Sequence, residues 1–276
     1  MLLAVSLIGV MLHVLMDFPT SYGTRLLSPF DWHWFAIDWM PIVDIYLLIA
    51  LAAGLLFGRG SAAAAKHRNA AIVFVLMAAN YGLRGVAHHQ ALADAPRLFG
   101  PLLPPRCDPQ MPSPSLIDRW PEARPAGPGD GSRTRCLVQI AAIPTFLSPF
   151  RWRVIAQLSN AYEIRELDVL NARLRGPASD TDVPWRVTVR FPNQWSPAVA
   201  QAAATRLGRV FLGFARFPAA RWIVDDKTGI ATVRWTDMRF AGGVLTLEHP
   251  VRRPGPFIAI VRIDANGRLL DEHLEP

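Results

Sequence analysis

The chain has 276 residues, 51% hydrophobic and 18% charged, with mean hydropathy +0.20 and a formal net charge of +7. That is too apolar for an ordinary soluble domain and too charged for a chain made only of membrane spans, so composition points to a mixed membrane protein. Residues 1–100 hold six basic and five acidic side chains and the remainder 23 and 17. All but Lys66 and Lys227 of the basic residues are arginine, which suits phosphate, carboxylate or an anionic membrane surface; their scatter, with no recognisable module, excludes nucleic acid as a partner.

Three apolar segments lead the chain, at 1–17, 41–57 and 69–87, each near the length a helix needs to cross about 30 Å of hydrocarbon. The first has no basic leader and no small-residue cleavage site, and Asp17 follows directly, so it reads as a retained helix rather than a signal peptide. Between the second and third lie Arg59, Lys66 and Arg68 with no acid, which assigns that loop to the cytoplasm. The 18–40 loop, with Arg25 against Asp31 and Asp38, then faces outward, as does everything after about residue 90. The expected localisation is the bacterial inner membrane, multi-pass, with the C-terminal half outside the cytoplasm and the lipid bilayer as partner.

Residues 101–135 contain nine prolines and read as a linker. Cys107 and Cys136 flank it without a metal-type spacing; they form a disulfide in an oxidising compartment or stay as two free thiols. Beyond, "RWRVIAQLS" and "YEIRELDVL" read as a hairpin, and 185–191, 230–240, 243–249 and 256–264 as further strands, the last followed by an "ANG" turn. Residues 196–214 begin with Ser-Pro and continue with helical period, predicting one helix. The expected organisation is a transmembrane domain over 1–95, a Pro-rich linker over 96–135 and a small α+β soluble domain over 136–276, with about three transmembrane helices in all.

His13 and Asp17 stand one turn apart on one helix face, a spacing that lets an imidazole and a carboxylate share a cation such as zinc. In water-facing helices the same pair is more often simply hydrogen-bonded. Ionisable groups in spanning segments mark function by default, however. The topology gathers His13, Asp17, Asp38, Asp44, Arg84, His88 and His89 at the outer ends of the three helices. Against this stands the plainer reading that such residues cap helices or snorkel to water. The "PTSYGT" turn offers backbone N–H groups to a phosphate, or serves only as a tight re-entry turn.

The stretch "LHVLMDFPTSYGTRLLSPF" followed by "FAIDWMPIVDIYLL" resembles the membrane-bound, metal-dependent hydrolases related to YdjM, some of them LexA-regulated. The matching positions are His13, Asp17, Thr20, Ser21, Tyr22, Gly23, Thr24, Pro29, Phe30, Asp38, Trp39 and Asp44; "IPTFLSPFRWRVIAQ", "GFARFP" and "VRWTDMRF" are similar in the second half. Family members usually begin earlier, with a segment carrying His-Arg-x-x-Thr-His-Ser and further ligands that would complete the metal site. No such motif occurs here, and His67-Arg68 is followed by Asn69-Ala70.

The resemblance implies a divalent metal, zinc first, held by His13 and Asp17. Asp38 or Asp44 would be a further ligand or general base, and Ser21, Tyr22, Gly23, Thr24 and Arg84 would position an unknown phosphoester or envelope substrate. The competing expectation is a non-catalytic, membrane-anchored module whose β-rich tail binds an envelope protein.

Overall fold

The structure is a computed structural model that describes residues 2–59, 62–99, 103–107, 117–120, 136–174, 189–241 and 257–275. Helix α1 (Leu2–Asp17) is apolar except for Ser6, His13 and Asp17, and none of its residues is buried. Helix α2 (Ile45–Gly58) starts where the Asp44 carboxylate accepts the Leu47 N–H at 2.9 Å, satisfying one of the donors a helix start leaves free. Helix α3 (Ala63–Phe99) follows and packs antiparallel against α2. Gly54 permits the approach: a Cβ there would lie 2.5 Å from Val73 Cγ2, and Asn69 donates to the Gly54 carbonyl at 2.6 Å.

Among the described residues only α3 is long and apolar enough to cross a membrane by itself; α1 and α2 have 16 and 14 residues. At 1.5 Å per residue they reach about 24 and 21 Å, short of the roughly 30 Å hydrocarbon core. Of the three spans expected, the described residues show one helix of full span length and two shorter apolar helices. The third apolar segment is also longer than expected. It runs on from 87 to Phe99, because Ala87, Ala91, Ala95 and Phe99 repeat at helical spacing and bury themselves against a sheet.

That sheet holds β3 (Leu137–Pro144), β4 (Arg151–Leu158), β5 (Ala161–Asp168) and β6 (Val189–Pro192) as an antiparallel meander. Strand alternation sorts its residues. Trp152, Val154, Ala156 and Leu158 face α3, while Ile155, Ala141, Ile143, Tyr162 and Ile164 face Phe217, Ala219 and Met238 beyond. The short helix α4 (Val169–Leu174) follows β5. The second sheet has the order β10-β9-β8-β7, from β7 (Pro218–Val224), β8 (Ala231–Asp237), β9 (Ile258–Ile263) and β10 (Leu269–Glu275).

Its face carrying Ala220, Val233, Trp235 and Val261 is covered by α5 (Pro197–Ala203) and α6 (Arg206–Phe214). Here the single helix expected over 196–214 is corrected to two. Thr205 leaves helical geometry, caps α6 by accepting the Gly208 N–H at 3.1 Å, and so restarts the chain in a new direction. The sheets are stitched where Gln194 N–H donates to the Ala220 carbonyl and Ala220 N–H to Asn193 Oδ1, both at 2.8 Å. The expected strand at 243–249 lies outside the described residues, as does the beginning of the one expected at 185–191.

Two ties hold the proline-rich region to the rest. Cys107 and Cys136 form a disulfide, and Cys107 N–H donates to the Leu137 carbonyl at 2.9 Å. Farther on, β2 (Asp118–Trp120) pairs antiparallel with β1 (Trp34–Ala36) from the 18–40 loop. The described parts of the expected linker are therefore fastened to both halves of the molecule.

Candidate functional site

The 18–40 loop is built by its own backbone. Pro19 O accepts the N–H groups of Trp39 and Met40 at 2.9 and 3.0 Å, Ser21 N–H donates to Met40 O at 3.2 Å, and Thr24 and Phe35 exchange two bonds of 2.9 Å. Gly23 sits at φ +82°, where an added Cβ would meet the Trp120 ring at 2.6 Å and the Phe35 carbonyl at 3.0 Å, so the turn needs glycine on both grounds. The N–H groups of Ser21 and Thr24 are thus spent inside the loop. The outward carbonyls of Ser21 and Tyr22 are taken by Arg239 Nη1 at 3.2 and 2.8 Å. On this side the turn offers oxygens to a guanidinium.

Arg239 is the hub of this arrangement. Its Nη2 also donates to Phe214 O at 3.0 Å, its Nε to Asp237 at 2.9 Å, and its guanidinium lies over the rings of Phe214, Phe240, Trp120 and Tyr22. Asp237 accepts in addition the backbone N–H groups of Arg216 and Arg239. Arg216 in turn reaches back to the loop, pairing with Asp38 at 2.7 Å, both residues buried. Asp38 holds φ +65°, an uncommon geometry for a non-glycine residue that aspartate tolerates better than most. These two arginines from the second half fasten the motif loop of the first.

Asp44 is likewise committed. Besides capping α2 it accepts Asn80 at 3.2 Å and lies 2.5 Å from Arg84 Nη2. Arg84, expected to bind substrate, has 0% of its side chain exposed; one turn further along α3, His88 is buried with its ring 5.2 Å from that of Trp152. Within the low dielectric of this layer an ion pair is held mainly because leaving either partner alone would be worse. Asp38 and Asp44 therefore balance arginines, and neither is placed as a free base.

His13 and Asp17 differ from all of these. Their side chains are 78% and 48% exposed, with Nε2 and Oδ2 3.5 Å apart. Two ligands each about 2.0–2.1 Å from one tetrahedral ion stand about 3.3 Å apart, so the pair fits two positions of such an ion. Among the described residues no group of three or more His, Cys, Asp or Glu side chains is placed to hold a metal. The fold thus brings together the pair foreseen from spacing and the turn that follows it, but gathers the other acidic residues around arginines. Arg216, Arg239 and Asp237 were not singled out from the sequence; they lie in "GFARFP" and "VRWTDMRF", and nothing in local spacing announces a bond to a residue about two hundred positions away.

Residues 1–91 match the model of the YdjM inner membrane protein family. That YdjM-like region ends within α3 and contains His13, Asp17, the turn, Asp38, Asp44 and Arg84. The match supports a membrane protein of the inner membrane. No curated protein and no solved structure matches the chain.

Proposed function

We propose that the chain is a multi-pass inner-membrane protein that works as a metal-dependent hydrolase at the outer membrane face. The observation that carries the catalytic reading is the exposed His13–Asp17 pair, whose donors are spaced as two ligands of one ion would be. A divalent metal there, zinc first, would supply the Lewis-acid charge that makes hydrolysis practicable near neutral pH. His13 and Asp17 would hold it at the end of α1, and the Thr20–Thr24 turn, fixed by Arg239, would border the substrate. A phosphoester or other envelope ester fits the location and the arginine-rich surroundings. Arg84, Asp38 and Asp44 are positioning residues in this reading, since each is buried in an ion pair.

The orientation places α1 and α2 in the bilayer with the 58–68 loop in the cytoplasm and the β-rich half outside. The Cys107–Cys136 disulfide supports it, because such bonds persist in oxidising compartments. Alkaline phosphatase fused after residue 276 should be active and a fusion at residue 60 inactive; the reverse pattern would overturn the orientation.

A second reading, a non-catalytic membrane-anchored envelope module, is favoured by one observation: two of the four motif acids and histidines, Asp38 and Asp44, balance arginines. Metal stoichiometry of the purified full chain separates the two. Bound metal lost in both His13→Ala and Asp17→Asn supports the hydrolase; a metal-free protein under saturating zinc would leave the module.

A further inference from the structure

The outer loop carries a second feature that the motif does not explain. Residues 25–33 form the tip of a hairpin closed at its base by the two Thr24–Phe35 hydrogen bonds. The tip is compact: Ser28 N–H donates to Arg25 O at 3.1 Å, and Phe30 and Asp31 N–H groups donate to Leu27 O at 2.9 and 3.0 Å. This internal bonding holds three large apolar side chains outward. Phe30 is 96% exposed, Leu27 49% and Trp32 46%. Trp34, only two residues on, is by contrast stacked on Trp120 with ring centroids 6.0 Å apart. So the loop had aromatic packing within reach and still presents Phe30 to its surroundings.

Behind the apolar tip lies a polar collar. The Arg25 guanidinium stands 5.2 and 5.1 Å from the ring centres of Trp32 and Trp34. Arg119, just over half exposed, donates to Asp31 Oδ2 at 3.3 Å and lies 3.0 Å from His33 Nδ1, while Asp31 also bonds the His33 ring. The collar holds two guanidiniums and one carboxylate, so it carries net positive charge. The hairpin grows from a loop whose ends are Asp17, the last residue of α1, and Asp44, the cap of α2.

We propose that this hairpin dips into the outer leaflet: Leu27, Phe30 and Trp32 enter the acyl boundary, and Arg25 and Arg119 hold the phosphates of anionic phospholipid. The proposal rests on the reading of α1 and α2 as membrane segments, which roots both ends of the loop at the bilayer surface. Aromatic side chains favour that interface, guanidinium matches phosphate geometry, and the negative surface attracts the collar. Lipid, rather than a protein partner, is the occupant because the apolar tip and cationic collar are layered in the order in which a bilayer presents acyl chains and phosphates.

The test uses the full chain in vesicles of phosphatidylglycerol and phosphatidylcholine, with a nitroxide label on Phe30→Cys and, separately, on Val10→Cys in α1 and Asp226→Cys in the exposed turn after β7. Accessibility to oxygen, which partitions into lipid, is compared with accessibility to a water-soluble nickel chelate. Labels at 10 and 30 should favour oxygen, and the label at 226 nickel. The label at 30 should shift toward nickel in pure phosphatidylcholine and when Arg25→Gln and Arg119→Gln are combined. A lipid-buried position 10 with an aqueous position 30 overturns the dipping hairpin while leaving the membrane helices intact. A position 30 shielded from both reagents means a protein contact and overturns it too. Headgroup-independent depth overturns the phosphate collar, and an aqueous position 10 overturns the membrane reading of α1 itself.

Discussion

The molecule treats its two sets of aspartates in opposite ways. On α1, Asp17 meets a histidine in the open, at 3.5 Å. Asp38, at the end of the 18–40 loop, and Asp44, at the start of α2, meet arginines with almost no exposed surface. An exposed pair contributes little to stability and stays available to a ligand; a buried pair is available to nothing, yet removing one partner strands a charge. The same residue type in one motif is therefore exposed at one position, ties the two halves of the chain together at a second and joins α2 to α3 at a third.

The largest effect should come from breaking the fastening. Arg216→Ala leaves Asp38 buried and alone, and is expected to cost about 3–5 kcal/mol in chemical unfolding of the detergent-solubilised protein. Asp38→Asn with Arg216→Met should recover much of that loss, because no charge is then stranded; a double variant no better than the single would contradict the pairing. Next comes the disulfide. Cys136→Ser opens a cross-link between positions 29 residues apart and should cost about 3–4 kcal/mol, with a mobility change in non-reducing electrophoresis of the parent only.

On the open side of the comparison the expected signs separate. His13→Ala and Asp17→Asn should each change stability by less than about 1 kcal/mol, yet remove bound zinc, read by mass spectrometry of the native protein. Loss of several kcal/mol with unchanged metal content would move this pair into the structural class. The smallest effect concerns Asp31. The His33 backbone N–H, and then the His33 ring, hold its carboxyl below the usual aspartate range. A depressed value means that its contribution is present above about pH 4 and lost as the pH falls toward the folded value. Asp31→Asn should therefore flatten the acid limb of a stability–pH profile slightly and leave neutral pH nearly untouched.

Much of the architecture is written locally. The β4–β5 hairpin follows from two alternating runs around a tight turn, and the Ser196 cap of α5 from a hydroxyl before Pro197. Other elements are not. The β3 run "LVQIAAIP" carries a register shift after Leu137 that moves Ala142 to the α3 side and Ala141 to the other, and this blurs the alternation on which a strand is recognised. The β10 residues are mostly exposed and three of the seven are acidic, so their strand character comes from pairing with β9 rather than from composition. The candidate site divides in the same way. His13 and Asp17 are legible because helical spacing alone puts them on one face. The engagement of Asp38 by Arg216 spans 178 positions, and no periodicity encodes it.

By itself, then, the sequence determined the apolar helices, the His13–Asp17 pair on one helix face, the glycine turn and the β-rich second half, since each depends on neighbours within a turn or a strand. Only the tertiary structure decided which charges would be free. Burial and partner are properties of the layer where α3, the 18–40 loop and the two sheets meet, and that layer holds Arg84 on Asp44, Arg216 on Asp38 and Arg239 on the carbonyls of Ser21 and Tyr22. A buried charge must find its opposite wherever the fold brings one, so the identity of the partner emerges with the packing and not before it.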